Sequence, residues 1–363
     1  VTTGANKGYI DPAAVTYTVT RMPDGQIIAE SIAATTCTDS ELPSALGDYT
    51  YDVCAAFSGK TGPSASSGAM TLGKSFEAPL AFNLTTEDDF KFFTVIDANN
   101  DASTWEWSRN GTMCRYNRNN DSDDWLITPM ITLKAGYRYT ITLEMRSGNG
   151  RTAETYDIMA GNAPTAEALT IPVVEGASLA DTKRNPHTVT FTPDTDGNYC
   201  FGVHCTSPKY QYSLYVYTFA IDEPVSLKAP VASETVSATA APGGVLEATV
   251  KAIAPSTAVD GTPLASLEKA EITNLTTGRL AGTVSNPAPG TEISVEDKAA
   301  ANGTNEYSVV FFNAAGKGYA AKTSVYVGED TPADVTDVVL RQTGDKAVLT
   351  WKAPTEGKNG GYI

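Results

Sequence analysis

The sequence predicts an all-β protein built from several sandwiches. Three observations carry that expectation. Periodic stretches alternate apolar and polar residues with period two, as in Val15-Thr16-Tyr17-Thr18-Val19-Thr20 and Leu214-Tyr215-Val216-Tyr217-Thr218-Phe219-Ala220-Ile221. Turn residues cluster between them, at Pro23-Asp24-Gly25 and Thr195-Asp196-Gly197-Asn198. The 30 Gly and 20 Pro are spread along 363 residues, which leaves little room for long helices. Strands of this pattern have one apolar face, and packing sheets face to face buries it.

Composition bounds the partners. The chain has 42 acidic and 26 basic residues, a formal net charge of -16. Nucleic-acid binding draws its affinity from clustered Lys and Arg, so neither nucleic acid nor an anionic membrane surface is expected as a partner. No apolar run reaches the roughly 18 residues that span a bilayer, so no membrane insertion is expected. The opening Val1-Thr2-Thr3-Gly4 has neither the basic start nor the apolar core of a signal peptide, and the expectation is a mature or excised piece. Cys37, Cys54, Cys114, Cys200 and Cys205 are odd in number and match no zinc spacing. They read as small buried or half-buried residues, with a Cys37–Cys54 bridge as the alternative if their strands are neighbours.

Taken in order, residues 1–73 give strands at Val15–Thr20, Ile27–Glu30, Thr36–Asp39 and Tyr49–Ala56. Leu46-Gly47-Asp48-Tyr49 reads as a tight turn into a strand whose Tyr49, Tyr51, Val53 and Ala55 share a core face, in the manner of a tyrosine corner. These residues resemble the later strands of a fibronectin type III module of bacterial surface proteins. Residues 331–363 resemble the first two strands of the same module, with Val335–Leu340, a turn at Thr343-Gly344-Asp345-Lys346, and Ala347–Pro354 carrying Trp351 as the core Trp. The tripeptide Gly8-Tyr9-Ile10 recurs as Gly361-Tyr362-Ile363, which points to a repeating array with a module divided between the two ends. Each end then exposes what the other lacks, and head-to-tail self-association is the expected consequence. Residues 228–330 resemble a complete type III module, with Tyr307 in its tyrosine corner and Gly328-Glu329-Asp330-Thr331-Pro332 as a linker.

Residues 74–227 are organised around Asp123-Asp124-Trp125-Leu126-Ile127-Thr128-Pro129, an acidic loop running into an apolar strand that Pro129 stops. With the Asp97–Trp105 loop, this heptapeptide resembles the cleaved-adhesin, or choice-of-anchor J, modules of gingipain-type haemagglutinins. The resemblance implies a jelly roll associated with adhesion, carbohydrate or protein binding, and calcium. In that family the last strand often ends in an Asp pair; here Tyr217 and Thr218 stand there instead, against a calcium site at that end.

Two sets of residues are singled out. Asp97, Asn99 and Asp101 alternate in a loop, as calcium ligands do, with Glu77 or Asp124 to complete the six to eight oxygens. Ala102 and Ser108 replace the Gly and Glu of an EF-hand, so the alternatives are a non-EF calcium loop and a solvated turn with Asx caps. Trp107 and Tyr116 form an expected aromatic recognition surface, with Arg109, Arg118 and Asp124 to bond ligand hydroxyls. Trp105 and Trp125 are assigned to the core. His187 and His204 have no zinc-spaced partner, and no nucleophile elbow or phosphate loop occurs.

The expected protein is therefore not an enzyme. It is an extracellular or bacterial cell-surface adhesion protein whose jelly roll binds glycan or an extracellular protein, with type III modules as spacers. The alternative is a structural stalk, or the accessory region of a larger secreted peptidase or glycosidase.

Overall fold

The computed structural model describes residues 3–4, 6–43, 47–73 and 75–363. The opening Val1-Thr2 and the Ser44–Leu46 part of the expected tyrosine corner lie outside them. The architecture is all-β, in antiparallel sheets arranged as sandwiches. The one α-helix among the described residues is a single turn, Glu87–Phe90, capped by Thr86. The chain divides into two compact units. One is formed by Val1–Lys134, Thr140–Phe191 and Thr195–Glu223, the other by Ala135–Tyr139, Thr192–Asp194 and Pro224–Ile363.

In the first unit, the described strands before Phe76 all belong to one sheet, ordered Gln26–Ile32, Thr16–Met22, Gly47–Phe57, Lys60–Ser66, with Met70–Leu72 beside Gly47–Phe57. Two expectations fail here for one reason. Thr36–Asp39 forms no strand, and the expected core face is open, with Val53 39% exposed. Among the described residues no second sheet supplies hydrogen bonds to the first segment or apolar cover to the second.

The same unit contains two larger sheets. One runs Ile171–Leu179, Glu154–Gly161, Gly197–Cys205, Asp124–Ile127, Thr94–Asp97. The other runs Asn185–Phe191, Tyr137–Ser147, Leu214–Ile221, Thr112–Cys114, Trp105–Glu106, with Leu80–Asn83 also on Leu214–Ile221. Burial alternates strictly along Thr140–Ser147, as the period-two pattern requires. Pro129 does break the organising strand into Asp124–Ile127 and Ile131–Leu133, both paired with Gly197–Cys205. The Thr128 hydroxyl accepts the Phe201 N–H at 3.0 Å, so the ladder stays satisfied across the break. Trp105 and Trp125 are buried, as expected. Trp125 lies flat on the His204 ring, centroids 4.0 Å apart, above Gly202, where a Cβ would stand 2.9 Å from its indole.

The second unit holds a complete sandwich. Val236–Ala240, Ala248–Ile253 and Glu292–Asp297 form one sheet; Arg279–Ser285, Lys269–Asn274, Gly303–Asn313 and Gly316–Val327 form the other. Between them Val250, Ile272, Val309 and Phe311 are essentially inaccessible to solvent. The expected corner Tyr307 is fully buried, and its hydroxyl donates to Asp297 at 3.0 Å. Thr336–Thr343 and Lys346–Lys352 form a separate hairpin whose residues are all exposed.

Candidate functional site

The residues singled out fall into three places. The first is the Asp97–Asp101 loop. Asp124 stands opposite Asp97 in the antiparallel register and opposite Cys205 on its other side. The Asp97 carboxylate accepts the N–H groups of Asp101 (3.2 Å) and Ala102 (2.8 Å). Asp101 accepts the Ser103 N–H and the side-chain amides of Asn117 and Asn120. Asn99 bonds the Asp121 carbonyl at 2.8 Å. The loop is thus tied into Asx turns, with Asn100 and Ala102 in the left-handed region.

Glu77 does not join this loop. Its neighbour across the sheet, Thr132, is opposite Asn198, whereas Asp124 is opposite Cys205 on the same strand. Seven residues of strand at ~3.3 Å each put Glu77 roughly 20 Å away. Among the described residues no group of three or more His, Cys, Asp or Glu side chains is placed to hold a metal ion. As bonded here, the carboxylates of Asp97 and Asp101 already accept N–H groups of their own loop and of Asn117 and Asn120.

The second place is the interior beside the loop. Asp124 is fully buried, so it cannot meet a ligand at the surface as expected from its acidic neighbourhood. One of its oxygens has no hydrogen-bond partner; the other faces the Cys114 thiol at 3.6 Å. Burial, with the nearby charges of Asp97 and Asp101, pushes its carboxyl up to about 6. Glu154 is also fully buried, with neither oxygen partnered, and burial pushes it up to about 7. The neighbouring Cys205 and then burial push the Cys114 thiol upward. All five cysteines are free thiols, and Cys54 donates to the Gly62 carbonyl rather than bridging to Cys37.

The third place is the outer face of the sheet carrying Trp105–Glu106 and Leu214–Ile221. Tyr116 is exposed and stacks on Tyr212, ring centroids 5.6 Å apart and 23° from parallel. Beside it is a groove of about 320 Å³ walled by Met113, Arg115, Tyr116, Arg118, Asn117 and Asn119, with two serines and no carboxylate. Along the same sheet, Arg146 lies 3.9 Å over the Tyr215 ring and Arg184 lies 4.7 Å over the Tyr217 ring. Trp107 does not join this face. It is half-buried just beyond the Trp105–Glu106 strand, does not line the groove, and its indole N–H is buried without a partner. Arg109 is exposed but does not line the groove; Arg118 does.

Of the expected ligand contacts, then, the structure brings Tyr116 and Arg118 together and sets Trp107, Arg109 and Asp124 apart. Tyr212 was not anticipated. The only hint in the sequence is the run Lys209-Tyr210-Gln211-Tyr212, where aromatics alternate with polar residues in a turn-rich stretch. The pair His204–Asp123 (2.7 Å), flanked by Asp157 at 3.5 Å, was also missed.

No protein-family model matches the chain, and no curated protein matches it. Solved structures similar to parts of it include the K3 cleaved adhesin domain of Lys-gingipain from Porphyromonas gingivalis W83, with 16% identity over 39% of this chain and 95% of that one, TM-score 0.31. The adhesin domain of Epf from Streptococcus pyogenes is 14% identical over 62% of this chain and 80% of that one, TM-score 0.26. A β-glucuronidase from Ruminococcus gnavus is 12% identical over 65% of this chain and 38% of that one, TM-score 0.33. The likeness is coarse, to adhesin domains and to parts of glycosidases alike, and assigns no activity. No helix of the described residues is long and apolar enough to cross a membrane.

Proposed function

We propose that this chain is a non-catalytic binding protein acting outside the cell, as adhesins do, and that the Tyr116–Tyr212 face is its contact surface for glycan. The observation that carries the reading is the exposed, near-parallel tyrosine pair bordering a groove with Arg118 and two asparagines. A pyranose presents a face of C–H groups that aromatic rings cover, while amide and guanidinium donors meet its hydroxyls. Holding two rings stacked in advance lowers the ordering cost of binding. The sandwich of the second unit then acts as a spacer.

The test is a glycan array probed with the full chain and with a Tyr116→Ala/Tyr212→Ala variant. Both rings are solvent-exposed, so the variant is expected to fold. Wild-type signal on a defined set of glycans, reduced at least about tenfold in the variant, is the expected result. Equal binding by both proteins would place the site elsewhere. Binding to matrix proteins but to no glycan would change the ligand class.

A further inference from the structure

We infer that the face around Tyr116 and Tyr212 selects acidic glycans, whose sugars bear carboxylates, with Arg118 meeting a carboxylate at the groove and Arg146 offering a second contact along the sheet. This rests on the reading of that face as a glycan contact and names the class of sugar.

The groove is built before any ligand arrives. Its rim is the turn Asn117-Arg118-Asn119, in which the Asn117 side-chain oxygen accepts the Asn119 N–H at 2.8 Å. The Asn117 amide donates to Asp101 (2.9 Å) and Ser103 (3.1 Å), and the Asn117 carbonyl accepts the Tyr210 N–H at 3.1 Å. The acidic loop and the segment leading to Tyr212 are thus fastened to one residue. Arg118 stands at the apex of this turn and walls the groove with Tyr116.

Arg118 is exposed and forms no ion pair among the described residues. The acids alongside are occupied. Glu106 faces Arg115 at 3.4 Å, Asp101 holds Asn117 and Asn120, and Asp121 accepts the Lys209 N–H at 2.9 Å. A guanidinium presents paired N–H groups spaced to meet both oxygens of a carboxylate, and those of Arg118 are uncommitted. The chain as a whole carries a net charge of -16. At physiological salt a charge is screened over about 8 Å, so the walls of the groove set the field that a bound sugar meets.

The second contact follows from register. Met113, which walls the groove, lies opposite Tyr215, and Tyr215 lies opposite Arg146. Their neighbours Leu214, Val216 and Met145 are buried, so this row is on the outer face. It crosses two strand spacings, roughly 10 Å. Arg146 lies flat 3.9 Å over the Tyr215 ring; its Nε donates to the Tyr217 hydroxyl at 2.5 Å and its Nη1 to the Ser147 carbonyl at 3.1 Å. Those bonds fix the guanidinium and leave Nη2 for a ligand. Arg184, over Tyr217, is spent on Glu144. An acidic sugar further along the same glycan reaches Arg146.

Isothermal titration of the full chain tests this with two matched pairs: a hyaluronan oligosaccharide against its carboxyl-reduced neutral form, and sialyllactose against lactose. The pairs separate uronic from sialic acid as the source of the carboxylate. In at least one pair the acidic member is expected to bind at least about tenfold more tightly, an advantage that shrinks as salt is raised. Arg118→Gln and Arg146→Gln are each expected to narrow that ratio, which a general loosening of the fold does not move. Equal binding within both pairs, or binding to neutral glycans alone, overturns the acidic class and leaves the tyrosine contact standing. A preference kept in full by both arginine variants overturns the inference equally. Acidic binding undiminished in the Tyr116→Ala/Tyr212→Ala variant overturns the underlying reading instead, and this inference with it.

Discussion

At the scale of single residues, Asp124 and Glu154 are fully buried carboxylates of the first unit that hold their protons more tightly than usual. Glu154 has neither oxygen partnered and its carboxyl is pushed up to about 7 by burial. A carboxyl that holds its proton more tightly when folded loses stability as pH rises from its unfolded value, near 4.5, through 7. Below that window the acid is neutral in both states. Glu154→Gln is therefore expected to raise the melting temperature at pH 8, by roughly 1–3 kcal/mol of stability, with the gain gone below about pH 4.5. Asp124→Asn should behave alike over the narrower window from 3.8 to about 6. Urea melts at three pH values check both; a gain that persists in acid contradicts the assignment. Neither burial was legible in the sequence. Asp124 ends the polar run Asp121-Ser122-Asp123 and is turned inward only because its strand pairs with both Thr94–Asp97 and Gly197–Cys205. By contrast, the core placement of Trp105 and Trp125 was legible, since period-two spacing alone assigns a face. The stacking of Tyr116 on Tyr212 was not, because it joins segments remote in sequence that no local pattern links.

At the scale of elements, strands were readable where a face was buried on a partner, as along Tyr137–Ser147. They were misread at Thr36–Asp39, where the residues suit a strand but no neighbour supplies the ladder. The joint at Tyr307 is buried and fully bonded. Asp297 is buried and held by Tyr307, Asn274, Arg279 and the Ala299 N–H, which together keep its carboxyl ionised and below its usual range despite burial. Tyr307→Phe removes one of these donors and is expected to cost about 1–2 kcal/mol. Asn274→Ala also strips the bond to Asn305 and should cost more. Denaturant titration of the full chain, followed through the transition of the second unit, checks the order of the two effects; a neutral Tyr307→Phe would contradict it. The corresponding Tyr51–Asp39 joint carries Arg21 in place of Asn274, so a charge faces the same aspartate.

At the scale of the whole molecule, the chain carries a formal net charge of -16, and like charges repel. The first unit concentrates aromatic and cationic side chains on one face: stacked tyrosines at the groove and arginines lying over Tyr215 and Tyr217. The sequence grouped Tyr116 with Trp107, its near neighbour along the chain, whereas the structure stacks Tyr116 on Tyr212. The all-β class needed only periodicity and turn residues. The repeated Gly-Tyr-Ile was legible in the sequence, and a similar turn precedes it in both places. The measurement that bears most directly on the function is NMR of the full chain with labelled tyrosine rings, titrated with the strongest glycan from the array. The account predicts saturable shifts in the rings of Tyr116 and Tyr212, with the buried Tyr307 unmoved. Saturable binding that leaves both of those rings unshifted would contradict it.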